Sequence, residues 1–352
     1  MLNILDGNPQ ERIELYRKEI IDLLKTDDPD IITELYNRAN TIRARYCGEE
    51  IHVRGLINFS NFCKRSCLYC GLRKNNTNIQ RYRLTPNQIF TTVSDGVKAG
   101  YKTFVLQSGE DPYYTDEMVS GLIRRIKSKF NVALTLSLGE RPYSTLKKWR
   151  EDGADRYLLK HETSDPELYR KLHPDLEFHN RIASLINLKE IGYQTGSGIM
   201  IGLPGQTYES IADDIILFRN LDMDMIGCGP YIHNPDTPKI KPTANRQKYV
   251  QPEVEFTYKI TAINRIMTRD TLIPATTSLS TIEETTGQKN ALLCGANVIM
   301  LDITPIEVKH LYKIYPKKNF IDGVKDAETL FQNLTISTGR PVSKTLGHRA
   351  HF

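Results

Sequence analysis

A (β/α)8 barrel preceded by a helical extension is the fold class this sequence predicts, and three observations carry it. Eight short apolar runs bounded by turn residues recur along the chain. Amphipathic stretches of helical period lie between them, and small polar or charged residues collect just after the runs. Strands alternating with helices over about 250 residues make such a barrel, whose chemistry sits in the loops that follow the strands. Residues 1–50 lack the alternation and read as the extension; residues 51–352 read as the barrel with a C-terminal segment closing it.

Strand 1 is IHVRGLINF (51–59). The helix at 85–100 starts on Thr85 as N-cap with Pro86 in its first turn, and stops at Gly100. Strand 2, KTFVLQSG (102–109), precedes a helix at 116–130, and strand 3, VALTLSL (132–138), one at 143–152. Strand 4, DRYLLKHE (155–162), leads to a helix at 179–191, and strand 5, TGSGIMIGL (195–203), to one at 208–220. Strand 6, MDMIGCGPYI (223–232), is followed by a helix at 252–270, and strand 7, TLIPATTS (271–278), by one at 286–294. Strand 8 is ANVIMLDIT (296–304).

Composition excludes several classes. Hydrophobic residues are 39%, charged residues 25% and mean hydropathy is −0.42, with no run near the roughly 18 apolar residues of a spanning helix. The N-terminus, MLNILDGNPQERIELYRKE, has no apolar core before a cleavage site, so a cytoplasmic location and no membrane partner are expected. Net charge is +5 from 47 basic and 42 acidic residues spread along the chain. The mildly basic stretch 239–248 reads as a solvated loop, so no nucleic-acid partner is expected. A monomer is expected.

Half of the six cysteines, Cys63, Cys67 and Cys70, stand within FSNFCKRSCLYCGLR (59–73), spaced C-x3-C-x2-C. Three thiolates cannot all pair as disulfides, and they are one ligand short of a closed tetrahedral zinc site. Cys47, Cys228 and Cys294 are scattered, which argues for a reducing compartment rather than a disulfide framework. A 4Fe–4S cluster normally takes four thiolates, so three leave one iron open to an exogenous ligand. This spacing, on one loop after the first strand, is similar to the signature of radical S-adenosylmethionine (SAM) enzymes. That resemblance implies chelation of the open iron by SAM and one-electron cleavage to a 5′-deoxyadenosyl radical, the electron coming from an external donor. A structural metal knuckle and an iron–sulfur sensor or carrier are the competing readings.

Neither competitor needs anchors for SAM, and candidates are present. Gln107, Ser108, Gly109 and Glu110 close strand 2 and resemble the class motif that meets the SAM amino group. Glu162 ends strand 4 and Arg181 starts the next helix, a carboxylate for the ammonium and a guanidinium for the carboxylate. Tyr69 precedes the last cysteine, where this class has an aromatic near the adenine, and Ser137 on strand 3 joins the cofactor set. As lone residues these read as solvated charges or a packed loop aromatic. Thr135, Thr276, Thr277 and Ser278 lie at strand ends and Arg156 opens strand 4. They either satisfy neighbouring carbonyls or line a cavity for a small polar or anionic ligand.

From about residue 36 onward the chain resembles the FeFe-hydrogenase maturase family HydE. The resemblance is carried by NFSN (58–61), CLYCGLR (67–73), RYRLTP (81–86), LQSGEDPYY (106–114), TLSLGE (135–140), GADRYLLKHET (153–163), GLPGQT (202–207), PDTP (235–238), IPATT (273–277), CGANVIM (294–300) and the HRAHF ending. It implies a radical SAM enzyme that helps assemble the diiron subcluster of the hydrogenase H-cluster. Its substrate would be a small organometallic synthon made by the partner maturase HydG, and its product would move toward HydF. The same resemblance makes Thr135, Arg156, Thr276 and Thr277 the catalytic, cavity-lining set. A paralogue with methylornithine-synthase-type chemistry is the alternative; biotin synthase would want further cysteines and a barrel arginine for a second cluster.

The chain departs from the family pattern at four places. Nothing after Cys294 is a cysteine, so a single cluster is expected. Val308 stands where the family has a tyrosine, Lys160 replaces an arginine, and TTGQKN (285–290) lacks an arginine after its glycine. Losing a phenol and a guanidinium predicts an altered hold on an anionic substrate.

Overall fold

A computed structural model describes residues 9–242, 249–316 and 323–350, with side chains from residue 17 onward. The chain opens with α1 (Pro9–Lys25) and α2 (Pro29–Cys47), then enters β1 (His52–Ser60), α3 (Pro86–Lys98), β2 (Thr103–Ser108), α4 (Asp116–Lys129) and β3 (Ala133–Ser137). Next come α5 (Tyr143–Glu151), β4 (Arg156–Leu158), α6 (Pro166–Leu172), α7 (Phe178–Ile191), β5 (Gln194–Ile201), α8 (Tyr208–Asn220) and β6 (Met225–Pro230). The last elements are α9 (Val254–Thr268), β7 (Pro274–Ala275), α10 (Thr277–Ile282), α11 (Gly287–Leu293), β8 (Val298–Asp302), α12 (Ile306–Lys309) and α13 (Ala327–Thr338).

The eight strands form one parallel sheet in the order β6-β5-β4-β3-β2-β1-β8-β7. It rolls into a (β/α)8 barrel because β6 and β7 also meet, through a single bridge between Met225 and Leu272. There Ile226 N–H donates to Leu272 O and Leu272 N–H to Asp224 O, both at 3.0 Å. Phe104, Leu134, Leu136, Ile199, Ile226 and Ile299 on the strands are fully buried, as is Trp149 of α5, whose indole N–H donates to Asp116 O at 3.1 Å.

Local chemistry accounts for the element ends. Thr85 and Gln88 form a capping box at the start of α3, satisfying donors that a helix N-terminus leaves open. Asp28 caps α2, which has proline in its first turn and ends at Gly48 with φ of 75°.

Two expected strands are much shorter than the sequence implies. β4 is regular only to Leu158; Leu159 and Glu162 N–H groups still donate to Gly196 O and Gly198 O, both at 2.9 Å, and the segment ends on Glu162 in a left-handed backbone (φ 65°). β7 ends at Ala275; Thr276 is the N-cap of α10, so Thr277 and Ser278 lie on a helix and not on a strand. Four short or late helices, α6, α10, α12 and α13, had no counterpart in the sequence reading.

The two N-terminal helices pack outside the barrel. Arg17 pairs with Asp213 at 2.6 Å and Lys25 with Glu209 at 3.4 Å, linking α1 to α8. Such exposed pairs contribute at most about 1 kcal/mol, so the buried Ile20, Leu24, Leu35 and Ala39 do more to hold the helices in place.

The C-terminal segment crosses the end of the barrel where the strands begin. Val342 bridges Ile51, Thr103 Oγ1 donates to Leu346 O at 2.9 Å, and Gln194 Nε2 lies 2.6 Å from His348 Nδ1. Arg349 then binds Asp222, Asp224 and Asp270 at 2.7–3.1 Å. Of the basic stretch 239–248, Lys239 and Lys241 are exposed and residues 243–248 lie outside the described residues, as do the last two residues of HRAHF.

Candidate active site

A cavity of about 360 Å³ opens at the strand ends opposite that tail, within the size range of small-molecule sites. Its wall gathers every residue the sequence singled out for cluster, SAM or substrate except Arg156.

The cysteine loop leaves β1 at Ser60 and is pinned from both sides. Ser60 Oγ donates to Asp111 Oδ2 at 2.7 Å, Asn61 bonds Gln80 O and Leu311 O at 2.8 and 2.9 Å, and Lys64 N–H donates to Glu110 O at 3.0 Å. Arg81 holds the carbonyls of Asn61, Leu72, Arg73 and Asn76 together. Gly109 explains part of the QSGED turn: a Cβ there would sit 2.2 Å from Phe62 O and 2.8 Å from Cys63 Cβ, so only glycine lets β2 pass the loop this closely.

Burial pushes all three thiols up, Cys70 to about 12 and Cys67 further. Raised thiols are not free nucleophilic cysteines, and binding a metal is one way such groups lose their protons. Among the described residues no three His, Cys, Asp or Glu side chains gather round the one point a mononuclear ion needs. A multi-iron cluster, with one thiolate to each iron, has no such requirement, and the three cysteines on one cavity wall fit it.

Tyr69 is fixed by a residue the sequence reading missed. Its hydroxyl lies 2.9 Å from His173 Nε2, His173 Nδ1 lies 3.0 Å from Tyr169 O, and the imidazole stacks on Tyr169 at 4.1 Å. Burial lowers the His173 pKa to about 3, so the ring is neutral. The network then assigns the proton to Nδ1, which donates to the carbonyl, and leaves Nε2 to accept from Tyr69.

The charged candidates have partners of their own. Arg181 Nε donates to Glu140 Oε1 at 2.6 Å and Nη1 to Lys160 O. Glu162 faces Lys160 Nζ at 3.4 Å. Glu110 accepts from Arg65 Nε at 2.5 Å and from Glu140 N–H at 3.2 Å, so its carboxylate braces the cysteine loop. Behind Glu162, His161 is buried with Nδ1 2.8 Å from Ser197 Oγ and Nε2 3.0 Å from Asp214 Oδ1.

Deeper in the barrel, Thr276 Oγ1 lies 3.0 Å from Ser278 Oγ and Thr277 Oγ1 3.1 Å from Tyr315 OH. Gly229 makes room for them, because a Cβ would lie 2.4 Å from Ser278 Oγ and 2.6 Å from Thr276 Oγ1. Thr135 Oγ1 and Arg54 Nη2 are buried without a hydrogen-bond partner. Arg54 is the second residue the sequence reading missed; its inward place on β1 was the available signal.

Arg156 lies below this cavity, fully buried, and does not line it. Its guanidinium bonds Gln194 Oε1 at 3.1 Å, Leu346 O at 2.8 Å and Gly347 O at 2.7 Å, so it anchors the tail. Val308 packs into the apolar core, whereas Tyr312 and Tyr315 line the cavity. Val308 itself does not line the cavity. Gln288, the residue after Gly287, donates to Ala275 O at 3.0 Å and props β7.

Comparison with known proteins fits this geometry. The radical SAM superfamily profile matches residues 57–218. The [FeFe] hydrogenase maturase subunit HydE of Thermotoga maritima is 47% identical over 308 residues, covering 88% of this chain and 86% of that protein. The chain belongs to the HydE family. It is a radical SAM enzyme, and 4Fe–4S and SAM are the cofactors its family implies. 3-Methylornithine synthase of Methanosarcina acetivorans is more distant, at 31% identity over 82% of this chain and 80% of its own length. Among solved structures, methylornithine synthase PylB has a TM-score of 0.79 at 28% identity, covering 94% of this chain and 96% of that one. The maturase HydG from Carboxydothermus hydrogenoformans shares the fold, with a TM-score of 0.77 at 20% identity over 98% and 82% of the two chains. Among the described residues no helix is long and apolar enough to cross a membrane.

Proposed function

We propose that this HydE-family chain holds one 4Fe–4S cluster on Cys63, Cys67 and Cys70 and acts on a small anionic, organometallic substrate in hydrogenase maturation, between HydG and HydF. The observation that carries the reading is the convergence of the cysteine loop, the β2 turn, Glu162 and Arg181 on one cavity whose deep end is hydroxyl-rich and cationic. When bound, the cluster and SAM supply a 5′-deoxyadenosyl radical by one-electron cleavage. Arg181 and Glu162 orient the amino-acid end of SAM by charge-assisted hydrogen bonds, and Tyr69, fixed by His173, offers its ring to the adenine. Arg54, whose Nη1 meets Met225 Sδ at 3.0 Å but whose Nη2 has no partner, and the unpartnered Thr135 hydroxyl give an anion its donors, while Thr276 and Thr277 present hydroxyls from the opposite wall. Residues 1–50 serve as an extension, its helices α1 and α2 braced on α8 and α9, and we place the chain in the cytoplasm as a monomer with an external electron donor.

Anaerobic reconstitution with iron and sulfide, then product analysis after reduction with SAM present, tests the reading. The wild-type protein should release 5′-deoxyadenosine, and release should give way to a covalent adduct when the iron synthon made by HydG is added. Cys67→Ala should lose both cluster and cleavage; a variant that keeps four irons and full cleavage contradicts the ligand assignment. Cleavage indifferent to the synthon would favour the methylornithine-synthase-type alternative, for which Lys160 in the cavity wall is the motivating residue.

A further inference from the structure

We infer that the outer face of the cysteine loop is the docking surface for an acidic one-electron carrier protein; the inference rests on the reading that the loop holds a reducible cluster. From Ile51 to Ser94 the chain carries no aspartate or glutamate, while the loop itself bears Lys64, Arg65, Arg73, Lys74, Arg81 and Arg83. So one-sided a segment is unusual in a chain whose charges are otherwise nearly balanced.

The structure turns much of that charge outward. Lys64 and Lys74 have side chains 50% and 49% exposed. The exposed residues between Lys74 and Arg83 are Asn75, Thr77, Asn78 and Gln80, all neutral. Counter-charges sit mainly inside or at the edge: Glu110 and Asp111 are buried, Asp175 meets Lys74 at 3.3 Å, and Asp236 accepts from Asn78 at 3.1 Å. Beside Cys63 lies the kind of group that anchors protein interfaces. The Arg83 guanidinium stacks over Phe62 at 3.6 Å and over the half-exposed Tyr113 at 4.8 Å, with Asp111 holding it at 2.8 and 3.0 Å.

A pre-ordered aromatic–arginine stack flanked by two half-exposed lysines, each touching one less exposed carboxylate (Glu110 at 3.8 Å, Asp175 at 3.3 Å), fits an acidic partner, and it lies on the loop that the electron must enter. In the step, the reduced carrier loses one electron and the cluster gains one; no bond in this chain forms or breaks. Screening limits the attraction between exposed charges to about 10 Å at ordinary salt, so the lysines beside the stack matter most.

The test uses reconstituted protein, a flavodoxin as the acidic carrier, and photoreduced deazaflavin as a small neutral reductant. The Lys64→Gln, Lys74→Gln double variant, which removes both charges without setting a carboxylate against Glu110, should bind flavodoxin several-fold more weakly and lose much of the salt dependence of binding. Flavodoxin-driven SAM cleavage should fall in parallel, with deazaflavin-driven cleavage and iron content unchanged. Unchanged flavodoxin binding, a wild-type protein that does not bind flavodoxin, or an equal loss with both reductants would each overturn the docking assignment. Failure of the wild-type protein to cleave SAM with deazaflavin would instead overturn the radical SAM reading.

Discussion

Gly109→Ala adds one methyl group where β2 passes closest to the cysteine loop. The new Cβ would lie 2.2 Å from the Phe62 carbonyl oxygen. Carbon and oxygen ordinarily meet no closer than about 3.3 Å, so strand or loop must retreat by about 1 Å. Both are tied: Gly109 N–H donates to Ser60 O at 3.2 Å and Lys64 N–H to Glu110 O at 3.0 Å. Overpacking of this kind costs roughly 1–3 kcal/mol, and a shift of about 1 Å near reacting groups costs about a hundredfold in rate. The variant should keep its far-UV circular dichroism, melt a few degrees lower, take up less iron on reconstitution and release 5′-deoxyadenosine about a hundredfold more slowly. Gly121→Ala, where a Cβ meets nothing within 4 Å, is the control and should be neutral or slightly stabilising. A Gly109→Ala protein with full iron content and the wild-type rate would refute the argument that close backbone approach is the reason for glycine here.

Asp214→Ala removes the acceptor of His161 Nε2 and of Ser164 N–H, leaving buried donors that cost about 1–3 kcal/mol each. It should lower the melting temperature and, because Glu162 follows His161, weaken SAM binding in a titration. Arg349→Ala strips a partner from the buried Asp224 and Asp270 and should destabilise the fold by about 3 kcal/mol in a denaturant melt. Burial lowers the pKa of His52 to about 4 and of His173 to about 3, so below pH 6.5 the unfolded chain binds more protons than the folded one. Their contribution is fully present above pH 6.5 and is lost as pH falls toward 4, by up to about 1.4 kcal/mol per histidine per pH unit. Urea midpoints measured between pH 7 and pH 4 should fall in that order, and a flat profile would contradict the burial of these rings.

The barrel and the cluster loop were legible because both are local in sequence. β-branched runs at steady intervals mark strands, and C-x3-C-x2-C lies on one short loop. What escaped was set by contacts distant along the chain. Arg156 reads as a strand residue facing a cavity, but residues 346 and 347 accept its donors, about 190 positions later. Likewise, His173 has meaning only once α6 brings it to Tyr69, and nothing local marks Tyr312 and Tyr315 as cavity residues. The end of β7 is not marked in the sequence, because TTSLSTI carries β-branched residues that suit a strand as well as a short helix.

The junction of β6 and β7 makes the barrel a rolled sheet with a seam. Seven of its edges are laddered strand pairs, while the eighth is closed by the Met225–Leu272 bridge. Opening the wall there breaks few hydrogen bonds, so the amides of Ile226 and Leu272 should exchange with deuterium sooner than those of the β1–β2 ladder. The seam runs directly beneath Thr276 and Gly229, so the hydroxyl wall of the cavity is hung on the most compliant side of the cylinder. A substrate bulkier than the resting cavity would find its slack at that wall rather than at the cysteine loop, where every neighbour is tied.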